Sequence, residues 1–410
     1  MPSNNFSISF SVFKFSICKQ IVAIFILTLM VAANAFAGET ILHAFKGSDG
    51  YSPNGGLIFD AAGNLYGTTT GGGAYSYGTV FEMKPKAGGG WTETVLHSFN
   101  GNGIDGTNPY SALVFDASGN LYGTTRSGGS DNVGTVFELK PTSSGTWKET
   151  VLHSFKNNHV DGSDIYGTLV LDSSGNLYGT TYRGGRFANG TVFELTRGQN
   201  GQWKEIVLHN FNSSDGENPY AGLVFDASGN LYGTTVLGGA YGYGAAFELT
   251  PEGNGQWNES VIYSFTDLPY APLIVDPAGN LYGVTSGNDG LLSLGSVFEL
   301  SPQAGGQWTE TLISNTFPIG VPFYGVVMDA AGNLYGTTDD IDGVGPGSVF
   351  ELTRQQNGVW VTKALHYFRY RAPDGNAPSG SLLLDNANNV YGVTSQGGSY
   401  SSGTVFEITP

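Results

Sequence analysis

The most constraining feature of this chain is a ten-residue segment, DASGNLYGTT at 116–125, that recurs with small changes along almost its whole length. Its LYG-type motif begins at seven positions spaced 50 to 56 residues apart: Leu65, Leu121, Leu177, Leu231, Leu281, Leu334 and Val390. A fixed period of this length is typical of architectures in which each repeat is one supersecondary unit. The sequence therefore predicts seven similar units packed against one another.

Each unit contains four short segments with the composition of β-strands. In the second copy they read LVFD, NLYGTT, GTVFEL and WKETVLHSF, and Gly, Pro, Asn, Asp or Ser separates them. No window shows the 3.6-residue apolar period of a helix, and 63 glycines disfavour helices further. The Asp-x-x-Gly-Asn connection supplies an N–H acceptor and a residue that tolerates positive φ, as a hairpin needs. Each unit is thus predicted to be an antiparallel meander.

A four-stranded unit of about 50 residues is the usual size of one β-propeller blade. The rival, a parallel β-helix, has shorter coils and does not need a hairpin inside each repeat. Residues 39–45 have the pattern of a fourth strand, and the chain stops after a third strand at 403–408. We therefore predict an all-β, seven-bladed β-propeller of four-stranded antiparallel blades, closed by the N-terminal strand, which completes the last blade and hides its edge.

Residues 1–37 have the pattern of a signal peptide. Lys14 and Lys19 precede an apolar run at 21–31, and Ala35-Phe36-Ala37 fits the A-x-A cleavage site. The run of about a dozen residues is shorter than the roughly 20 that a membrane-spanning helix needs, so a retained anchor is the weaker alternative. We expect cleavage after Ala37, a single propeller domain at 38–410 without a membrane span, and a secreted, periplasmic or cell-surface location.

Charge and cysteine content exclude several classes of protein. The net charge is −17, and it becomes about −19 without residues 1–37, which hold two lysines and no acid. Such a surface repels nucleic acid and anionic lipid headgroups. The only cysteine, Cys18, precedes the apolar run, which does not fit a lipoprotein signal, and leaves the mature chain without disulfides. A monomer without cofactors is expected.

Several polar and aromatic residues recur once per unit. Glutamates occupy one third-strand position (82, 138, 194, 248, 299, 351 and 407), histidines one fourth-strand position (43, 97, 153, 209 and 366), and six tryptophans begin the fourth strand. A carboxylate repeated around a ring does not build one catalytic site, and a carboxylate buried between blades needs a hydrogen bond. We therefore predict that each Glu pairs with the fourth-strand donor of its own blade, which is Tyr263 or Ser314 in the two copies without histidine, and that Glu407 pairs with His43. The tryptophans are predicted to pack between blades or at sheet edges. No metal is expected, because no metal-ligand motif occurs.

The motifs LVFDxxGNLYGTTxxGG, GTVFEL and WxExVLHSF, taken together, resemble the tandem repeat of the bacterial choice-of-anchor GloVer family, from about Glu39 to Pro410. The resemblance implies an exported, propeller-like surface protein without an assigned activity. Members of that family often carry a C-terminal anchoring segment, whereas this sequence ends at Thr409-Pro410 directly after a strand. A free product is the expectation here.

Function is expected on the face opposite the Asp-x-x-Gly-Asn hairpins, where the connections vary between copies. The aromatic residues at the entry of the inner strand are predicted to lie near the axis, either packing on one another or stacking on a sugar or peptide: Tyr110, Tyr166, Tyr220, Tyr270 and Phe323. Charged residues that break the pattern of the repeats complete the candidate ligand site: Arg183, Arg186, Asp339, Asp340 and Arg371.

Two classes of function remain open from the sequence. The first is a noncatalytic extracellular propeller that binds a glycan or a protein on the variable face. The alternative is an enzyme, lactonase-like or polysaccharide-lyase-like, with its site at the channel mouth. Because H-E-x-x-H and G-x-S-x-G motifs are absent from the sequence, binding is favoured over catalysis. Convergence of Arg183, Asp340 and Arg371 in one pocket would favour the enzyme.

Overall fold

The computed structural model describes residues 38–156, 158–287, 295–339 and 345–410. These residues form seven four-stranded antiparallel sheets arranged as the blades of a β-propeller, and no helix occurs among them. The predicted fold class is therefore confirmed. Within the same ranges, no helix is long and apolar enough to cross a membrane.

The strands of each blade are numbered one to four from the axis outward. First strands span Ile58–Phe59, Val114–Phe115, Val170–Leu171, Val224–Phe225, Ile274–Val275, Val321–Met328 and Gly375–Leu384. Second strands span Leu65–Thr69, Leu121–Thr125, Leu177–Thr181, Leu231–Thr235, Leu281–Thr285, Leu334–Asp339 and Val390–Gly397. Third strands span Thr79–Pro85, Thr135–Pro141, Thr191–Arg197, Ala245–Gly253, Ser296–Pro302, Ser348–Arg354 and Thr404–Thr409.

Fourth strands span Trp91–Ser98, Trp147–Ser154, Trp203–Asn210, Gln256–Ser264, Trp308–Ser314 and Trp360–Tyr367 in blades one to six, and Gly38–Ala44 in blade seven. Two short ribbons lie in the loops, one pairing Gly106–Thr107 with Ser127–Gly128 and the other Gly162–Ser163 with Arg183–Gly184. The order of the four main strands is sequential in blades one to six, as expected for meanders.

The N-terminal strand closes the ring. Gly38–Ala44 runs antiparallel to Thr404–Thr409, with Glu39 opposite Ile408 and Ile41 opposite Phe406. The following residue, Phe45, is fully buried in a cluster shared by blades seven and one. The predicted closure is therefore confirmed, and the edge of the third strand of blade seven is paired.

The Asp-x-x-Gly-Asn segment forms the predicted hairpin. Asp116 Oδ1 accepts the backbone N–H groups of Ser118 (2.8 Å) and Asn120 (2.9 Å), and its Oδ2 accepts the Asn120 side-chain amide at 2.7 Å. Gly119 has a φ of 81°, a conformation that costs glycine little. The seventh copy, which lacks this glycine, places Asn388 at a φ of 62°. The motif is thus a local device for turning the chain.

The third-strand glutamate has a different partner from the one predicted. The hydroxyl of Tyr122, in the LYG motif, lies 3.0 Å from Glu138 Oε1 and 3.2 Å from Asp116 Oδ2. Equivalent Tyr–Glu contacts of 2.5 to 3.3 Å occur in blades one, three, four, six and seven. The predicted Glu–His pairing is wrong, because Glu138 lies opposite Thr150 in the ladder while His153 lies opposite Val136.

The hydrophobic core is divided into seven layers, each shared by two neighbouring blades. Between blades one and two, for example, Phe99 and Val80 pack with Leu113, Leu121 and Phe137, all fully buried. The tryptophans sit at the rims of these layers: Trp147 and Trp203 lie edge-on to the LYG tyrosines of the preceding blades, with ring centroids 6.2 and 6.3 Å apart. Their predicted packing between blades is confirmed.

Candidate functional site

The entry to each first strand lies at the propeller axis. This position is occupied by aromatic residues in blades two to six and by Asn54 and Ser379 in blades one and seven, which are neighbours in the ring. The structure brings the five aromatic residues of the predicted site together: Tyr110, Tyr166, Tyr220, Tyr270 and Phe323. The axis is therefore aromatic on five blades and polar on two.

These rings fill the axis by packing on one another. Tyr166 stacks on Tyr220 with centroids 4.5 Å apart, and Tyr270 stacks on Phe323 at 4.7 Å. Tyr220 also meets Tyr110 and Tyr270 edge-to-face, at 6.3 and 5.6 Å. Burial, followed by the charge interaction and then the hydrogen bond with Tyr110, raises the pKa of Tyr220 far above its usual value. Its hydroxyl therefore stays protonated, and most ring faces are already occupied.

The cavity left among these rings is small. Its volume is about 80 Å³, well below the roughly 300 Å³ at which typical small-molecule sites begin. Apart from the tyrosine hydroxyls, its described lining offers only backbone groups and small polar side chains such as Asn54, Ser111 and Thr168. That lining contains no carboxylate, imidazole, ammonium or guanidinium group, so it lacks acid–base chemistry that operates near neutral pH.

The four predicted charged residues that the structure describes do not converge on this cavity. Arg183 lies over the ring of Tyr182 (5.5 Å) and 3.8 Å from Asp164, at the edge of the aromatic cluster. Arg186 lies over Phe187 at 5.4 Å. Arg371 lines a separate pocket between blades six and seven, and Asp339 ends the second strand of blade six opposite Val321. Asp340 lies outside the described residues.

The variable-loop face carries a second set of aromatic residues that the sequence reasoning missed. We define this face by the connections from second to third strands and from fourth to first strands. Eight aromatic side chains on it are 39 to 64% exposed: Tyr51, Tyr75, Tyr77, Phe187, Tyr241, Tyr243, Tyr370 and Tyr400. Five of them lie in the second-to-third connections of blades one, four and seven, in the segments AYSYG, AYGYG and SYSSG. A tyrosine in a glycine- and serine-rich loop is the signal that could have revealed them.

Polar clusters occupy the junctions between neighbouring blades. Histidine Nε2 of the fourth strand lies beside the Asp of the following Asp-Gly, at 3.2 Å in His97–Asp105 and His153–Asp161. A fourth-strand glutamate from the next blade completes such a cluster at four junctions, with the three ligand-type atoms within 4.8 Å of one another: His43/Asp49/Glu93, His153/Asp161/Glu205, His209/Asp215/Glu259 and His366/Asp374/Glu39. The histidines thus link consecutive blades.

The family to which the chain is related follows from its repeats. A family model described as the Gloeobacter/Verrucomicrobia repeat matches residues 20–224 and 197–406. The chain belongs to the Gloeobacter/Verrucomicrobia repeat family. This membership confirms the resemblance seen in the repeated motifs. The search of curated proteins returned no match for this member of the repeat family.

Solved structures similar to this Gloeobacter/Verrucomicrobia repeat protein are distant in sequence. One is PorZ, described as an essential bacterial surface component of the type-IX secretion system of Porphyromonas gingivalis, with 14% identity, a TM-score of 0.50, and coverage of 90% of this chain and 48% of PorZ. Another is a gluconolactonase of Xanthomonas campestris, with 12% identity, a TM-score of 0.44 and 92% coverage of both chains. The chain spans about half the length of PorZ, and that likeness supports the fold alone.

The buried glutamates at the blade junctions should make the stability of this repeat-family protein depend on pH in an unusual way. Burial, reinforced by the Asp49 carboxylate, raises the pKa of Glu93 to about 7. Burial likewise raises the pKa of Glu205 to about 8, with Asp161 adding to the effect. The other three behave similarly, each with a pKa raised to about 7: Glu39, Glu149 and Glu259. The folded state therefore binds these protons more tightly than the unfolded state, in which a glutamate titrates near 4.3.

Stability from these glutamates is present at low pH and is lost as the pH rises towards 7–8. Burial lowers the pKa of His43 and His209, which acts in the opposite direction but only below their unfolded pKa of about 6.5. Because five glutamates outnumber these two histidines, we expect the melting temperature, measured with EDTA present, to fall from about pH 5 to about pH 8. The fall should be smaller in Glu205→Gln than in the unchanged chain. In the control variant Glu310→Gln it should be as large as in the unchanged chain. A flat or rising profile would contradict the assignment.

Proposed function

We propose that this chain is an exported, noncatalytic binding propeller that holds an extracellular glycan or protein on its variable-loop face. The observation that carries the proposal is the set of exposed aromatic side chains on that face, with Tyr75 and Tyr77 on blade one and Tyr241 and Tyr243 on blade four. Tyrosine provides large, rigid contact area at low entropic cost, and glycine and serine let the surrounding backbone adapt. The same composition is used by antibody loops for macromolecular recognition.

The framework beneath this face supports such a role. Loop backbones are tied to the blades, as where Tyr51 exchanges two backbone hydrogen bonds with Gly71 at 2.8 and 3.0 Å. Thr69 Oγ1 adds a bond to the Gly71 carbonyl at 2.9 Å. Contacts held by a rigid scaffold lose less conformational entropy on binding. Tyr51 is therefore held by the framework at the base of the variable loops.

Catalysis at the channel mouth has less support. The cavity at the axis is about 80 Å³, and its described lining lacks groups that titrate near neutral pH. Arg183 and Arg371, whose convergence would favour an enzyme, line different pockets. The export that the proposal requires is a prediction from residues 1–37, in which a charged segment, an apolar run and an A-x-A site follow one another.

The proposal is tested with the purified chain on a glycan array and against a panel of soluble polysaccharides, alongside quantitative capture of proteins from surface extracts. We expect a saturable ligand whose affinity falls at least tenfold when Tyr75 and Tyr77 are both changed to alanine, and similarly for Tyr241 with Tyr243, because buried aromatic anchors dominate binding energy. Leu312→Ala is the matched control, since Leu312 is 53% exposed but lies on an outer strand.

Two results would argue against this function. One is that every ligand found binds the tyrosine variants as tightly as the unchanged chain. The other is turnover of a lactone or polysaccharide by the purified chain, which would favour the enzyme instead.

A further inference from the structure

The junction clusters contain buried atoms that have no hydrogen-bond partner. Nε2 of His43, His209 and His366 is buried and unpaired, although each lies 3.3 to 3.6 Å from a carboxylate oxygen. Asp49 and Asp374 are 7 and 9% exposed, and one oxygen of each is also unpaired. A buried polar group without a partner costs about 1–3 kcal/mol. The same deficit recurs at several equivalent places, which points to a shared ligand.

The spacing of these atoms fits coordination better than direct hydrogen bonding. A charge-assisted N–H···O bond is usually about 2.7–2.9 Å long. Two ligands on a tetrahedral ion at about 2.0–2.1 Å lie roughly 3.3–3.4 Å apart. The His–carboxylate separations are 3.3 Å at Asp49, 3.4 Å at Asp215, and 3.4 and 3.6 Å from His366 to Glu39 and Asp374. His366 Nε2 is thus almost equally far from two carboxylates and hydrogen-bonded to neither. At the fourth cluster His153 is hydrogen-bonded to Asp161 at 3.2 Å.

Junctions without histidine provide an internal comparison. Between blades four and five, Tyr263 takes the histidine position and donates directly to Glu310 at 2.8 Å. Between blades five and six, Ser314 meets Thr362 at 3.2 Å. Where metal-ligand side chains are replaced, the two blades therefore join by an ordinary hydrogen bond. Among the residues that the structure describes, the buried side-chain atoms without a hydrogen-bond partner are confined to junctions that have histidine.

The aspartates are held in place by backbone groups. Asp49 Oδ1 accepts the N–H of Lys46 at 2.9 Å, Asp161 Oδ1 accepts that of Gly162 at 2.9 Å, and Asp215 Oδ1 accepts that of Asn212 at 3.0 Å. The second carboxylate oxygen of each faces histidine. In Asp161 this oxygen also accepts the backbone N–H of Lys156 at 3.1 Å. In Asp215 it also accepts the side-chain amide of Asn212 at 2.6 Å. Such outer contacts commonly orient the ligands of metal sites.

Although the sequence contains no metal-ligand motif and predicts no metal, we propose that four blade junctions each bind a divalent transition-metal ion of the Zn²⁺ type, through one histidine nitrogen and two carboxylates: His43/Asp49/Glu93, His153/Asp161/Glu205, His209/Asp215/Glu259 and His366/Asp374/Glu39. An imidazole with carboxylates suits zinc and its neighbours, whereas calcium takes oxygen ligands. A water completes the tetrahedron. Each ion cross-links two blades. This role is independent of the ligand that the variable-loop face binds.

The test is metal stoichiometry on the purified full chain, stripped with EDTA, loaded with Zn²⁺ alone, desalted and analysed by mass spectrometry of the metal. We expect about four equivalents, one fewer in Glu205→Gln, and two fewer in the Glu93→Gln/Glu205→Gln double variant. Glu310→Gln, at a junction without histidine, should bind as much as the unchanged chain. Zn²⁺ should also raise the melting temperature of the stripped protein.

The proposal is overturned if the unchanged chain keeps less than one equivalent, or if the count is the same in the variants. Loss of one equivalent per removed glutamate supports it. Far-UV circular dichroism checks that each variant folds. If the variants fail to fold, Co²⁺ added to the unchanged chain decides: visible bands of tetrahedral cobalt support the sites, and a spectrum identical to that of the hydrated ion overturns them.

Discussion

Replacing Phe45 by alanine should lower the free energy of unfolding by about 3–5 kcal/mol, the usual cost of emptying a phenylalanine site in a core. Phe45 directly follows the closing strand and is fully buried, with its ring 5.1 Å from that of Phe81 in blade one. The side chain thus seals the layer between the last and the first blade. Its loss opens a cavity where the chain closes on itself.

Phe99→Ala provides the matched control for this change. Phe99 holds the same position one repeat later, is equally buried, and lies 5.2 Å from Phe137. Denaturant unfolding of both variants should give similar losses, because the closing strand is held as firmly as an internal one. If Phe45→Ala costs less than about 1 kcal/mol while Phe99→Ala costs the full amount, the N-terminal strand is not locked into the ring.

Alanine at Gly123 should strongly destabilise the protein. A Cβ there would lie 2.5 Å from Phe137 Cζ and 2.8 Å from Leu113 Cδ2, both fully buried. Overpacking of a tight core costs about 1–3 kcal/mol or more. The glycine of the LYG motif is therefore needed for close packing against the phenylalanine of the third strand, and equivalent glycines in the other six blades have the same contact.

The mechanism is tested by a second change that makes room. Phe137→Leu shortens the side chain that the new methyl group meets, so Gly123→Ala/Phe137→Leu should lose less stability than the sum of the two single variants. Gly88→Ala is the control, since a Cβ at Gly88 meets nothing within 4 Å. Additive losses in the double variant, measured by denaturant unfolding, would show that the contact with Phe137 is not the cause.

Blade number, strand order and closure could be predicted because they depend on signals inside one repeat or on the phase of the repeats. Asp116, Gly119 and Asn120 are within five residues of one another, and their turn chemistry is local. The partner of Glu138 was mispredicted, since Tyr122 lies directly opposite Glu138 in the ladder, whereas His153 lies opposite Val136, two residues further along the third strand. A bulge between Val136 and Phe137 changes that register, and the repeat pattern does not reveal it.

The junction clusters depend on contacts between repeats, so the spacing within one motif does not show them. His97 and Asp105 are eight residues apart, whereas His43 and Asp49 are six apart. A signal was nevertheless present: Asp-Gly follows the repeats that have histidine and is missing after Tyr263 and Ser314. The exposed tyrosines of the variable-loop face are not correlated with another residue of the repeat in this way, because the sequences of these loops differ from blade to blade.

Because the N-terminal strand closes the ring, the order in which the strands are synthesised differs from the order in which they can pair. The strand Gly38–Ala44 is made before every other described strand, while its partner Thr404–Thr409 is made last, some 360 residues later. Until that partner exists, the early strand has no sheet to join and Phe45 has no complete pocket. Long-range pairing of this kind is slow, and unpaired edges associate with other chains in the meantime. The strand of the ring that is synthesised first is therefore the last to pair with its neighbour.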